Sequence, residues 1–185
     1  MPICYDWLQT HPFNNTNSVS IYSVDKLISE ARQLAAEYRK TTGSPLPGIS
    51  SEIARHDAIR LLDLTAVENG AGHDAIGNGV REGKRIQIKG RVIQDDNQRG
   101  LRIGQIKVEQ EWDAVVLVLL DAEYEPFEVY EVERDEVIEA SADTSENRSK
   151  RGAMTLARFK AISSLVWTRE DGLLDDGVWV NDENN

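Results

Sequence analysis

The sequence predicts a mixed β-sheet flanked by helices, of the α/β or α+β class, and two features of its apolar pattern lead to that prediction. The first is the order of the periodicities: two stretches with helical spacing come first, several strand-like runs follow, and helical spacing then returns. The second is the run Ala114–Leu120, which is apolar at every position. Such a run predicts a central strand that is covered on both faces.

Two helices are predicted before the strands. The first begins after Ser23, a favourable N-cap residue, and ends near Thr42–Gly43. Apolar residues at helical spacing over Val24–Tyr38 give it an amphipathic stripe. A segment rich in glycine and proline breaks the pattern, and a second helix is then predicted over about Ser51–Leu64, with Ser50 or Ser51 as its cap.

The strand-like runs occupy the middle of the chain and alternate with turn residues. They are His73–Ile76, Arg85–Ile93, a weaker Leu101–Val108, Ala114–Leu120 and Phe127–Val132. A short helix is predicted over Arg134–Ala140. A last helix is predicted over Leu156–Val166, with Thr155 as its cap.

The length suggests one domain with three compositional regions. Residues 1–48 are predicted to form an N-terminal loop and an amphipathic helix packed on the core, which makes this region a helical extension. Residues 49–168 are predicted to form the core. Residues 169–185 contain six acidic residues and one basic residue and are predicted to form an acidic tail with a short apolar anchor, Val178–Val180.

Composition excludes several classes of protein. The 32 acidic and 21 basic residues give a formal charge of −11, which argues against a generally basic nucleic-acid coat protein. A single cysteine, Cys4, excludes an internal disulfide framework and a cysteine zinc cluster. The apolar run Val115–Leu120 is far shorter than the roughly 20 residues of a membrane helix, and the N-terminus has no signal-peptide pattern. The expectation is a cytoplasmic protein without a membrane partner.

The candidate chemistry lies on two neighbouring strands. Gln87 and Lys89 share one face of their predicted strand, because side chains alternate along a strand. A turn at Glu82–Gly83 pairs Ile76 with Lys89 and places Asp74 diagonally across from Lys89, on the same face.

A rival turn at Asn78–Gly79 is the stronger hairpin dipeptide and would carry Asp74 away from Lys89. The Glu82–Gly83 turn is preferred because it leaves two longer strands.

A carboxylate, an amide oxygen and an ammonium on one sheet face suit a magnesium site, since magnesium takes oxygen ligands and keeps several waters. Asp74 and Gln87 are the candidate metal ligands, and Lys89 could orient an attacking water or offset charge in the transition state. A second carboxylate is wanted, and Glu52 at the start of the second helix is the best candidate. Glu52 could equally serve only to complement the helix dipole.

This arrangement of residues resembles the PD-(D/E)XK nuclease superfamily, over roughly residues 50–135. Asp74 matches the Asp of the motif, Lys89 matches the Lys, and Glu52 matches the Glu that a preceding helix often supplies. Two positions depart from the pattern: His73 stands where the motif has Pro, and Gln87 stands at the acidic position. The run Ala114–Leu120 matches the buried strand that follows the motif.

The resemblance implies a restriction-endonuclease-like fold and a magnesium-dependent endonuclease that acts on DNA, of restriction or repair type. Manganese is a conceivable substitute for magnesium. Cleavage of both strands would need two sites, so a homodimer is expected. The alternative is a catalytically inactive module on the same fold that binds nucleic acid or a protein partner, with Gln87 as the sign of a decayed site.

Local charge agrees with a nucleic-acid partner. Residues 81–107 contain eight basic and three acidic residues, a net charge of +5, which leaves −16 for the other 158 residues. Such a patch predicts phosphate binding through one face. The predicted nucleic-acid contacts are Lys84, Arg85, Arg91, Arg99 and Arg102.

Overall fold

A computed structural model of the protein describes residues 23–68, 72–94, 100–142 and 154–174. Four α-helices lie in these ranges: α1 (Val24–Thr42), α2 (Ile49–Leu61), α3 (Arg134–Ala142) and α4 (Leu156–Ile162). The same ranges contain the seven strands β1 (Leu64–Ala66), β2 (Ala75–Gly77), β3 (Arg85–Val92), β4 (Ala114–Leu120), β5 (Pro126–Glu133), β6 (Ser164–Thr168) and β7 (Gly172–Leu173). The predicted mixed sheet with flanking helices is confirmed.

The strands form one sheet in chain order, β1-β2-β3-β4-β5-β6-β7. Only the β3–β4 pair is parallel, and it aligns Lys89 with Leu117; every other neighbouring pair is antiparallel. All residues of β4 are buried, as the uninterrupted apolar run predicts. Because β3 and β4 are parallel, the chain between them must return to the same end of the sheet, and it crosses one face on the way.

Two apolar layers enclose the sheet. On one face, α1 and α2 pack against a cluster that includes Ile86, Ile88 and Val116. On the other face, α3, α4 and the segment 100–112 pack against a cluster that includes Trp112, Val115 and Leu117. Alternation along β3 therefore sends Ile86 and Ile88 towards α2 and sends Gln87 and Lys89 towards the segment 100–112.

Gly90 permits the close approach of α2 to β3. A Cβ atom at Gly90 would lie 2.4 Å from Ala54 Cβ and 2.7 Å from the Ser50 main-chain oxygen. No side chain fits in that space, so glycine at this position sets the distance between the helix and the sheet.

The ends of α1 and α2 show where local sequence signals predict a helix boundary correctly and where they do not. Ser23 caps α1 through its side chain, which accepts a hydrogen bond from Lys26 N, and Gly43 ends the helix in the left-handed conformation, as predicted. The predicted serine cap of α2 is wrong: the helix begins at Ile49 after Gly48, which makes no side-chain cap. Its predicted end is also too late, because Leu64 opens β1 instead and pairs with Gly77.

Three further predictions are wrong where tertiary pairing decides the outcome. The weak strand at 101–108 forms only one isolated bridge, between Arg102 and Thr155. Thr155 does cap α4, but the helix ends at Ile162, because Leu165 and Trp167 pair with β5 in a further strand. Within the predicted tail, Gly172–Leu173 form β7, which pairs with β6.

Some predicted features lie outside the described residues, namely the N-terminal loop, Cys4, Arg99 and the apolar anchor Val178–Val180. Within the described ranges, none of the helices has the length and hydropathy that a membrane span requires.

Candidate active site

The hairpin that carries the candidate residues has the predicted turn at Glu82–Gly83, where Lys84 N donates to Arg81 O at 3.0 Å, but it does not have the predicted register. Ile76 pairs with Arg85, so the predicted pairing of Ile76 with Lys89 is wrong. A 3-10 turn, Gly79–Arg81, precedes the turn at Glu82–Gly83 and lengthens the connection, and Gly77 N donates to Lys84 O. A Cβ at Gly77 would lie 2.3 Å from the Arg81 oxygen, so the turn folds down onto the space that glycine leaves open.

Asp74 nevertheless lies beside the strand of Gln87 and Lys89. Its main-chain N–H donates to Ile86 O at 2.8 Å, and its Oδ2 accepts from Ile88 N at 2.7 Å. The carboxylate thus takes the place of a main-chain acceptor where the β2–β3 ladder ends. These two contacts with the main chain of β3 set the position of Asp74 at the end of β2.

Lys89 is partly buried next to Asp74. Burial lowers the pKa of the Lys89 ammonium below its ordinary value, the Asp74 charge acts in the opposite direction, and the Lys107 charge lowers the pKa further. A Cβ at Gly104 would lie 3.6 Å from Lys89 Cδ, so the segment 100–112 covers the lysine stem. The site therefore combines a carboxylate with an ammonium that holds its proton less tightly than a free lysine does.

Gln87 has a different environment from the one predicted. Its side chain is 1% exposed, Nε2 donates to Lys107 O at 3.3 Å, and Oε1 accepts from Lys107 N at 3.2 Å. The Gln87 amide therefore makes the two hydrogen bonds that the main chain of a neighbouring strand would make with Lys107. Trp112 Nε1 donates to the same Lys107 oxygen at 2.9 Å. Both polar atoms of the Gln87 side chain are engaged with the main chain of the segment 100–112.

Glu52 lies in the first turn of α2, on the helix layer that covers the sheet face opposite Gln87 and Lys89. Its side chain is exposed and makes no hydrogen bond or ion pair within the described ranges. Among the residues that the structure describes, no group of three His, Cys, Asp or Glu side chains could hold a metal ion. The described donors therefore do not fit a magnesium site built from protein ligands alone, and Asp74 is the predicted carboxylate ligand that lies beside Lys89.

Much of the predicted basic patch is neutralised by carboxylates. Arg85 binds Asp113 and Glu111, and Lys84 binds Glu133 at 2.6 Å. Arg81 likewise binds Glu131 at 2.7 Å. The predicted contacts Arg91 and Arg102 are half-buried and exposed, respectively, without a described side-chain partner. Summing charge along the chain missed these partners, which come from the segment 111–133 and meet the basic residues only in the folded sheet.

Lys107 is the basic residue near the site that was not among the predicted contacts. Its side chain is exposed, and its charge acts on Lys89. Its position follows from the path of the segment 100–112, which the weak strand pattern of 101–108 did not indicate.

We expect protein stability to fall in acid as Asp113 is protonated. Hydrogen bonds from the Arg85 side chain, above all, lower the pKa of Asp113 to about 2. A carboxylate whose pKa is lower in the folded than in the unfolded chain stabilises the fold above its unfolded pKa of about 4, and that contribution is lost as the pH falls towards 2. The Asp113 carboxylate should therefore stabilise the protein fully at pH 6.

Melting temperatures of wild type and Asp113→Asn measured between pH 2 and pH 7 check this expectation. The wild type should be the more stable protein at pH 6, and the difference should narrow below about pH 4. A difference that stays constant over the whole range would contradict the assignment.

No protein-family model matches the chain, and no curated protein sequence matches it.

Proposed function

We propose that the protein is a magnesium-dependent endonuclease that hydrolyses DNA phosphodiester bonds, of restriction or repair type. The observation that carries the proposal is the placement of the Asp74 carboxylate beside Lys89 on neighbouring strands, close enough to act on the pKa of that lysine. An acid and a lysine in this arrangement are the reacting groups that the resemblance to PD-(D/E)XK nucleases implies.

The surrounding elements support the proposal. The helix α2 precedes the hairpin of Asp74 and Lys89. The fully buried strand β4 follows and lies parallel to β3, and helices cover both faces of the sheet. This order of elements agrees with a restriction-endonuclease-like core.

The chemistry follows from the charges at the site. A magnesium ion, or manganese in its place, would polarise the phosphoryl oxygen and lower the pKa of a water molecule. Asp74 would supply the protein carboxylate for that ion. The Lys89 ammonium, held beside Asp74 and covered by the segment 100–112, is placed to orient the attacking water and to offset the negative charge that develops on the phosphate.

Plasmid cleavage tests the proposal. Supercoiled DNA incubated with the protein and magnesium should become nicked or linear, and EDTA should prevent this. Lys89→Met should lower the rate by about 10²–10³-fold, because the charge that stabilises the transition state is lost while the apolar stem is kept. Lys40→Met changes a lysine on the exposed side of α1 and should cleave like wild type. Cleavage that survives both EDTA and Lys89→Met would refute the assignment.

A second candidate function is a catalytically inactive module that binds nucleic acid or a protein partner. The observation in its favour is that both polar atoms of the Gln87 amide are bonded to Lys107, so the acidic position of the motif carries no carboxylate and its amide oxygen is already engaged. A magnesium or manganese titration separates the two functions. A metal site raises the melting temperature with metal concentration, whereas the inactive module gives no metal-dependent rise.

The proposal also includes a homodimer, because two sites are needed to cut both strands of a duplex. The mass of the protein in solution, measured by light scattering, tests this part separately from the chemistry.

A further inference from the structure

The main chain of Lys107 joins the segment 100–112 to the sheet through hydrogen bonds. Lys107 N and O both bond to the Gln87 amide, and the same oxygen also accepts from the Trp112 indole. Gln87 and Trp112 are both inaccessible to solvent, so these contacts exchange little with water. The main chain of Lys107 is therefore held in one place while its side chain extends outward.

Lys107 lies over the face of the sheet that carries Lys89, because its main chain bonds to Gln87, two residues before Lys89 on β3. The two ammonium groups repel each other, since the charge of Lys107 opposes protonation of Lys89, and Asp74 is the carboxylate that acts on Lys89 in return. Neither lysine has a hydrogen bond or ion pair to a side chain in the described part of the protein. By contrast, Arg81, Lys84 and Arg85 all have carboxylate partners.

The two ammonium groups outweigh the Asp74 carboxylate, which leaves an excess of positive charge at the site. A phosphodiester carries one negative charge and would offset that excess, and it would also relieve the repulsion between the lysines. The arrangement is thus suited to a phosphate anion that bridges Lys89 and Lys107.

We propose that Lys107 is a phosphate-binding residue of the nucleic-acid site, and that Gln87 is a positioning residue that holds Lys107 there rather than a metal ligand. This inference rests on the proposed function, because the phosphate it assigns to Lys107 is that of the DNA substrate.

The first test measures binding of a fluorescent DNA duplex in EDTA, where no cleavage occurs, at several salt concentrations. Loss of one phosphate contact reduces the slope of log Kobs against log salt concentration by about 0.9. Lys107→Gln should show this reduction together with weaker binding. Lys40→Gln removes the same charge from α1, on the other side of the sheet, and should keep the wild-type slope.

The second test uses Gln87→Glu, which separates the two roles of Gln87. A positioning residue loses its N–H donor to Lys107 O and gains a buried charge, so the variant should melt at a lower temperature and should show the reduced salt slope although Lys107 itself is intact. If Gln87 is instead a metal ligand, the new carboxylate should bind the ion. A second carboxylate would then strengthen the metal-dependent rise in melting temperature.

The outcomes are distinguishable from failure of the proposed function. DNA binding by Lys107→Gln with the wild-type slope overturns the phosphate contact alone. A stronger metal response in Gln87→Glu overturns the positioning role. If the wild-type protein binds no duplex, the proposed function and the phosphate contact are both overturned. The dependence of the Gln87→Glu melting temperature on metal concentration still decides the role of Gln87.

Discussion

Replacement of Trp112 by alanine is expected to lower the free energy of unfolding by about 3–5 kcal/mol, because it deletes a large buried side chain and leaves a cavity. Trp112 is fully buried in the second apolar layer. Its indole also donates to Lys107 O, and the Arg134 guanidinium lies 4.6 Å from its ring centroid. The substitution therefore removes packing, a hydrogen bond and a cation–π contact at once.

Urea denaturation of wild type, Trp112→Ala and Trp112→Phe measures these contributions. Phenylalanine keeps an aromatic ring under Arg134 but cannot donate to Lys107 O, which still accepts from Gln87. We expect Trp112→Phe to cost about 1–2 kcal/mol, between the other two proteins. A cost below about 1 kcal/mol for Trp112→Ala would show that Trp112 does not support this layer.

The second large effect is expected on activity. Asp74→Asn should lower magnesium-dependent cleavage by at least about 100-fold. Residues that only support a metal ligand contribute up to about 100-fold, and Asp74 is proposed to bind the ion directly. Asparagine keeps a side-chain oxygen that can accept from Ile88 N, so the end of the β2–β3 ladder should remain intact. The substitution removes the negative charge that acts on Lys89 and that is proposed to bind the ion.

Cleavage rates and melting temperatures of Asp74→Asn, Asp74→Ala and Asp135→Asn provide the comparison. Asp135→Asn removes the same charge from an exposed position in the first turn of α3 and should cleave at the wild-type rate. Asp74→Ala should also lower the melting temperature, because Ile88 N loses its acceptor. Cleavage by Asp74→Asn at the wild-type rate would mean that the carboxylate takes no part in the reaction.

Some elements follow from the sequence because one local cause decides them. The apolar run at 114–120 predicts β4 with its correct bounds, since a strand with no polar position must be covered on both faces. Both ends of α1 follow from Ser23 and Gly43, because a capping side chain and a left-handed glycine act on the residues next to them.

Other elements depend on partners distant in sequence, and local patterns gave the wrong assignment. Val166 continues a helical spacing from Leu156, but residues 164–168 pair with β5 and therefore form a strand. The predicted turn at Glu82–Gly83 is present, but neither two-residue turn sets the register of the β2–β3 hairpin. Arg81 reaches Glu131 on β5, and this ion pair accompanies a longer connection between the strands.

The sequence by itself determined the class of the fold, the buried central strand and the face that Gln87 shares with Lys89, because periodicity and alternation depend only on neighbouring residues. The tertiary structure decided the register that brings Asp74 to Ile88, the carboxylate partners of Lys84 and Arg85, and the bonding of Gln87 to Lys107. The physical reason is that hydrogen bonds and ion pairs act over a few ångströms. Residues far apart in sequence acquire these contacts only when the sheet and the segment 100–112 have come together.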